Sequence, residues 1–184
     1  MKDAFDFWER NGQLTYRNGD VRIYVVDYEE YLFIGPVLYA STTERRWYLW
    51  NVYPHARGKC LEIGLGLGVA SKVIQANKAV RHLLTIESSM EVIIAYGQPL
   101  PRHAILEANI YEWIGNWVWK KPVYDMIFVD HYVFDMDEDL HLLEDLRDNL
   151  LPLLKPKGNM IFWIDENAPD EDQKAFKELW VLAK

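Results

Sequence analysis

The chain has 184 residues, half of them apolar, with a net charge of −8 and one cysteine. That supports one core of substantial size and excludes an internal disulfide framework and a basic nucleic-acid-binding surface. Its longest apolar stretches, such as residues 126–129 and 160–164, are far too short to cross a bilayer.

The first residues, Met1-Lys2-Asp3-Ala4-Phe5-Asp6, carry acidic side chains and no apolar run. They do not read as a secretory leader, and a cytoplasmic location is expected. Cys60 stands alone in an apolar strand pattern, where a cysteine serves as small core filler. His103, His131 and His141 are scattered, and no His/Cys group has metal-ligand spacing, so no metal is expected. The acidic balance suits a cationic or neutral small substrate.

Residues 1–20 are polar with aromatic patches, and Asn11-Gly12 and Asn18-Gly19-Asp20 are turn signals. Val21, Ile23 and Val25 then alternate with Arg22, Tyr24 and Val26. Tyr31-Leu32-Phe33-Ile34 and Val37-Leu38-Tyr39-Ala40 follow, split by Gly35-Pro36. Short β-rich runs divided by turn residues predict a hairpin or small meander. Ser41-Thr42-Thr43-Glu44 sets a hydroxyl three residues before a Glu, the pattern of a helix start. The helix would carry Trp47, Trp50 and Val52 and end near Pro54.

From residue 59 the element types alternate. Strands are expected at 59–63, 82–86, 104–107, 124–129 and 160–164, and helices at 69–76, 91–96, 111–119, 140–154 and 170–182. Pro156-Lys157-Gly158 reads as a turn. Leu140, Leu143, Leu146, Leu150, Leu151 and Leu154 mark one apolar helix face. Strands alternating with helices predict a mostly parallel α/β sheet, a Rossmann-like domain over residues 56–184. A small β-hairpin and helix element precedes it over residues 1–55.

The segment Glu62-Ile63-Gly64-Leu65-Gly66-Leu67-Gly68 lies between a predicted strand and a helix. A dinucleotide fingerprint needs Gly or Ala at its sixth position, but that place is Val69. Glu62 would repel a pyrophosphate and suits a ligand carrying an ammonium or sulfonium charge. Glu87 ends the second predicted strand about 20 residues on, where a carboxylate accepts hydrogen bonds from both ribose hydroxyls.

These residues resemble the class I S-adenosylmethionine-dependent methyltransferase superfamily over about residues 58–165. Leu61 to Gly68 match its first motif and Thr85-Ile86-Glu87 its acidic strand end. Glu107-Ala108-Asn109 match the third-strand motif, Tyr124 to Asp130 the fourth strand, and Leu153-Leu154-Lys155-Pro156-Lys157-Gly158 the turn before strand five. The resemblance implies S-adenosylmethionine, or its decarboxylated form, as cofactor. Glu62 and Gly64 would face its amino-acid part, Gly66 would give close approach, Glu87 would hold its ribose, Asn109 and Ile110 would flank its adenine, and Gly68 and Ser88 would also belong to the cofactor site. Asp130 would point at the substrate.

The N-terminal part is similar to the spermidine synthase group, which also has a β-hairpin domain and a segment like Tyr39-Ala40-Ser41-Thr42-Thr43-Glu44 leading to a helical Tyr, here Tyr48. That group has Asp just after the second glycine, where this chain has Leu67. It also has Asp-x-x-Asp-Pro after strand four, where this chain has Asp130-His131-Tyr132-Val133-Phe134-Asp135. The central stretch also resembles guanidinoacetate methyltransferase, whose Asp-x-Tyr after strand four is matched by Asp130-His131-Tyr132. Strands six and seven of the superfamily sheet are expected to be missing, which leaves strand five as an exposed edge and is compatible with a homodimer.

Methyl transfer to an amine needs a neutral nitrogen, so Asp130 is the expected proton acceptor. His131, Tyr132 and Asp135 are expected to line the substrate pocket. Three functions remain open: methyl transfer to a small amine, aminopropyl transfer from decarboxylated S-adenosylmethionine, and a non-catalytic nucleoside-binding or assembly subunit.

Overall fold

The computed structural model describes residues 8–97, 100–116, 121–130, 136–166 and 168–183. His131, Tyr132 and Asp135 lie outside the described residues.

Four strands, β1 (Gln13–Asn18), β2 (Val21–Val26), β3 (Glu29–Ile34) and β4 (Val37–Ser41), form an antiparallel sheet in chain order. The expected meander is present but one strand larger. Residues 13–18, in the polar stretch between the two turn signals, pair with β2 as an edge strand whose side chains stay largely exposed. An edge strand needs little apolar patterning, because only one of its sides is paired and its faces stay wet.

Ser41 then caps a short 3-10 turn, its Oγ accepting from the Thr43 N–H at 3.1 Å. Helix α1 (Arg45–Asn51) follows and buries Trp47 and Tyr48, while Trp50 is 72% exposed. Trp47 meets Phe128 and Trp180, and Tyr48 meets Phe128 edge-on, so α1 is cemented to the second sheet by aromatic contacts.

The second sheet holds five parallel strands: β5 (Gly58–Ile63), β6 (Val80–Glu87), β7 (His103–Glu107), β8 (Tyr124–Val129) and β9 (Leu154–Phe162). Their spatial order is β7-β6-β5-β8-β9. Met126, Ile127, Phe128 and Val129 are all buried in succession, so both faces of the sheet are covered. Between the strands run α2 (Val69–Ala76), α3 (Met90–Tyr96), α4 (Ile110–Gly115) and α5 (Met136–Leu150), with α6 (Asp170–Glu178) after β9. The fold class is α/β, with a five-stranded parallel sheet and a separate antiparallel sheet before it.

Two expectations at the C-terminal side change. Pro156-Lys157-Gly158 is not a turn before a strand but an irregularity inside β9, where pairing jumps from Tyr124–Leu154 to Met126–Asn159 and Lys157 has φ +67°. Nor is β9 a bare edge. Helix α6 stops at Glu178, and Val181 forms an antiparallel bridge with Met160, exchanging bonds of 2.7 and 2.9 Å. The Ala183 N–H adds a bond to Asn159 Oδ1 at 2.8 Å. Backbone groups along β9 are thus partly satisfied by the segment that follows α6.

Candidate functional site

The strand order reverses direction between β5 and β8, and in open parallel sheets that switch point leaves a crevice at the C-terminal strand ends. Gly64 follows β5 there and Asp130 follows β8. The Asp130 N–H donates to the Ile63 carbonyl at 2.8 Å. Gly64 has φ +91°, and a Cβ on it would lie 2.2 Å from the Asp130 carbonyl oxygen, so only glycine fits. Gly66 was expected to allow close approach of a cofactor. In the structure it allows close approach of the N-terminal sheet, because a Cβ there would lie 2.9 Å from the Ala40 methyl.

A cavity of about 450 Å³ lies between the two sheets. Its walls include Tyr39 and Ser41 of β4, Glu44 and Trp47, then Gly64, Gly66, Asp130 and Trp163. The sequence reading brought three of these here, Gly64, Gly66 and Asp130. It missed Glu44, Trp47 and Trp163 as parts of the site.

Tyr48 links the walls beneath the cavity. Its hydroxyl lies 2.8 Å from Glu44 Oε2 and 2.9 Å from Asp130 Oδ2. A phenol has one proton, so it donates to one carboxylate at a time. The other contact is satisfied when the second carboxyl is protonated and donates to the phenol oxygen. Burial is the main force raising the Asp130 carboxyl well above its ordinary range, with Glu44 next and the Tyr48 bond opposing. Burial likewise raises Glu44.

Glu62 lies under the glycine segment, fully buried. Its Oε2 accepts from Ser71 Oγ and Thr85 Oγ1, both at 2.5 Å, and Oε1 has no partner among the described residues. Burial pushes its pKa up to about 7. Glu87 is buried at the end of β6, its Oε2 accepting from the Leu65 N–H at 2.9 Å and its Oε1 from the Ser89 N–H at 2.9 Å. It therefore pins the glycine segment to the neighbouring strand. Glu44, Glu62 and Glu87 all act on Asp130 electrostatically. Among the described residues, none of these four carboxylates has a Lys, Arg or His ion-pair partner.

The remaining expected positions stand apart from this cavity. Gly68 borders a second cavity of about 200 Å³. Ser88 and Asn109 are exposed, and Asn109 Oδ1 caps α4 through the Tyr111 and Glu112 N–H groups. Ile110 is in the apolar core. Burial also pushes the Cys60 thiol up to about 12, as befits core filler.

No family model matches the chain, and no curated protein matches its sequence. Solved structures do match. Spermidine synthase from Thermotoga maritima superposes with a TM-score of 0.66 at 21% identity, covering 91% of this chain and 62% of that one. The chain has a spermidine-synthase-like fold. A spermidine synthase structure in complex with the transition state analogue AdoDATO superposes equally well over 61% of its length. A protein from Streptococcus mutans described as a SAM-dependent methyltransferase has a TM-score of 0.57 at 14% identity, over 89% of this chain and 46% of that one. The chain thus spans about three fifths of the spermidine synthases, and the spermidine-synthase-like fold extends over its N-terminal sheet as well as its parallel sheet.

Proposed function

We propose that the chain transfers an alkyl group, in the first reading a methyl group, from S-adenosylmethionine to a small cationic amine. The observation that carries this reading is the set Glu44, Glu62, Glu87 and Asp130, four acidic side chains gathered at the switch point without a counter-cation among the described residues. Burial pushes Glu44, Glu62 and Asp130 toward their protonated forms, and a cationic ligand beside them favours the ionised ones. The carboxylates and the Gly64 crevice fit a ligand with a sulfonium and an ammonium group. Glu62, Gly64 and Glu87 would hold it.

When bound, S-adenosylmethionine supplies an electrophilic carbon on a positively charged sulfur. The chain's own part is to seat the amine and take its proton. Asp130 lines the cavity, so its carboxylate would attract the ammonium form and then accept its proton. The Tyr48 hydroxyl, by donating to Asp130, lowers that carboxyl and so favours its ionised, proton-accepting form. Trp47 and Trp163 wall the cavity and limit water.

Aminopropyl transfer from the decarboxylated cofactor is the second reading, supported by the antiparallel sheet over the cavity and by a cavity wall that, among the described residues, has no Lys or Arg to receive a carboxylate. Against it, Leu67 is buried in the core where the polyamine enzymes have Asp. The test is to incubate the protein with each cofactor and a panel of mono-, di- and polyamines and weigh the amines. A methyl gain supports the first reading and an aminopropyl gain the second. If neither cofactor yields a mass gain, the chain is a non-catalytic nucleoside-binding or assembly subunit.

A further inference from the structure

The second cavity is the strongest feature that the proposed reaction leaves unused. It opens under the glycine segment and is bordered by Ser71 and Lys72 of α2, Tyr96 of α3 and His103 at the start of β7. His103 Nε2 lies 2.7 Å from Thr85 Oγ1, and Thr85 Oγ1 lies 2.5 Å from Glu62 Oε2. His103 Nδ1 has no partner among the described residues. One continuous chain of hydrogen bonds therefore joins a fully buried carboxyl group to an imidazole at the wall of a different cavity.

The polarity of that chain has two settings. With Glu62 ionised, the Thr85 hydroxyl donates to it, so Thr85 Oγ1 must accept from His103 Nε2–H and Nδ1 is bare. With Glu62 protonated at Oε2, it donates to Thr85, Thr85 donates to Nε2, and the imidazole proton sits on Nδ1. Burial keeps the His103 ring neutral to lower pH than an ordinary histidine, which suits a group that changes tautomer rather than charge.

We infer that Thr85 and His103 form a proton path between buried Glu62 and the second cavity, and that His103 is a positioning residue that reports the charge on Glu62. On discharge, the Glu62 proton moves to Thr85 Oγ1, the Thr85 proton moves to His103 Nε2, and the Nδ1 proton leaves once water from the second cavity that His103 borders enters to reach Nδ1, which is buried in the resting structure. One proton reaches solvent and no group along the path is left charged except Glu62. The groups that bias this path are Glu87 and Asp130 at the strand ends, the Cys60 thiol on β5, Lys72 on α2, and Tyr96, whose hydroxyl is bonded to Glu30 of β3. The ligand arm of the test rests on the cationic-cofactor reading above. The path itself does not.

The experiment is long-range nitrogen–proton NMR on the full chain with labelled histidine, the His103 signals being identified by their loss in His103→Gln. Without ligand, raising the pH from about 6 to about 8 is expected to change His103 from the Nδ1–H to the Nε2–H tautomer. Thr85→Val should abolish the change, and Thr85→Ser, which keeps the hydroxyl, should restore it. A tautomer that does not change with pH, or a change that survives in Thr85→Val, overturns the path. Adding S-adenosylmethionine near pH 6 should drive the wild-type ring to Nε2–H. A normal pH response with no response to that compound overturns the cofactor reading and leaves the path standing.

Discussion

The Tyr48 hydroxyl lies 2.9 Å from Asp130 Oδ2, joining α1 to the end of β8 across 82 positions of sequence. The ring of Tyr48 is locked by Trp47 and Phe128, so the hydroxyl has little freedom to leave. Tyr48→Phe removes the proton and keeps the ring. The Tyr48 bond lowers the Asp130 carboxyl, so its loss raises that carboxyl further. The acid limb of the pH–rate profile should shift to higher pH, with transfer slowed by on the order of a hundredfold. Stability should fall by only about 1 kcal/mol, measured by denaturant unfolding.

Glu62 gives a pH dependence of stability with a definite sign. Its pKa in the folded chain is about 7 against an ordinary 4.5, so between those values the folded state binds more protons than the unfolded one. Stability from this group therefore falls as pH rises through that window. Glu62→Gln should remove the dependence and stabilise the protein at pH 8 by on the order of 3 kcal/mol. Thermal unfolding of both proteins at pH 5 and pH 8 reads this directly. Equal slopes in the two proteins would contradict it.

Glu87 is expected to serve the cofactor and the loop together. Glu87→Ala strips acceptors from the Leu65 and Ser89 N–H groups. Amide exchange at Leu65 should quicken, and affinity for S-adenosylmethionine should drop roughly tenfold or more in calorimetric titration. Unchanged affinity would remove the ribose assignment.

Two glycines of one motif should behave differently. Gly64→Ala forces a Cβ against the Asp130 carbonyl and should cost about 3 kcal/mol or more. Gly68 also has positive φ, but its nearest neighbour would be Leu65 at 3.9 Å, so Gly68→Ala should cost about 1–2 kcal/mol. Denaturant unfolding of the two variants compares them.

Much of this arrangement is legible in the sequence. Residues 124–129 and 69–76 match β8 and α2 end to end, the first a short run apolar but for Asp125 and the second of helical composition. The edge strand β1 is harder to read, since QLTYRN stays mostly exposed and offers only Leu14 and Tyr16 as apolar positions. So is the bulge in β9, where Pro156 and Gly158 look like a turn but pairing with β8 resumes beyond them. Within the site, the acidic strand ends are visible because motif spacing gives them away. The four-residue spacing of Glu44 and Tyr48 says only that they share a helix face. That this face meets Asp130 is decided by the packing of Trp47 and Tyr48 on Phe128, which no local pattern records. Asn109 illustrates the reverse case: a position with an expected ligand role has its Oδ1 engaged as a helix cap.

The acidic cluster at the switch point is proposed to receive a cation. The most direct test is calorimetric titration with S-adenosylmethionine and with its decarboxylated form at pH 7, each in two buffers of different ionisation enthalpy. Carboxyl groups held partly protonated by burial must ionise when a sulfonium arrives, so at least one form is expected to bind with net release of protons. Failure of both to bind, or binding without proton release, would contradict it.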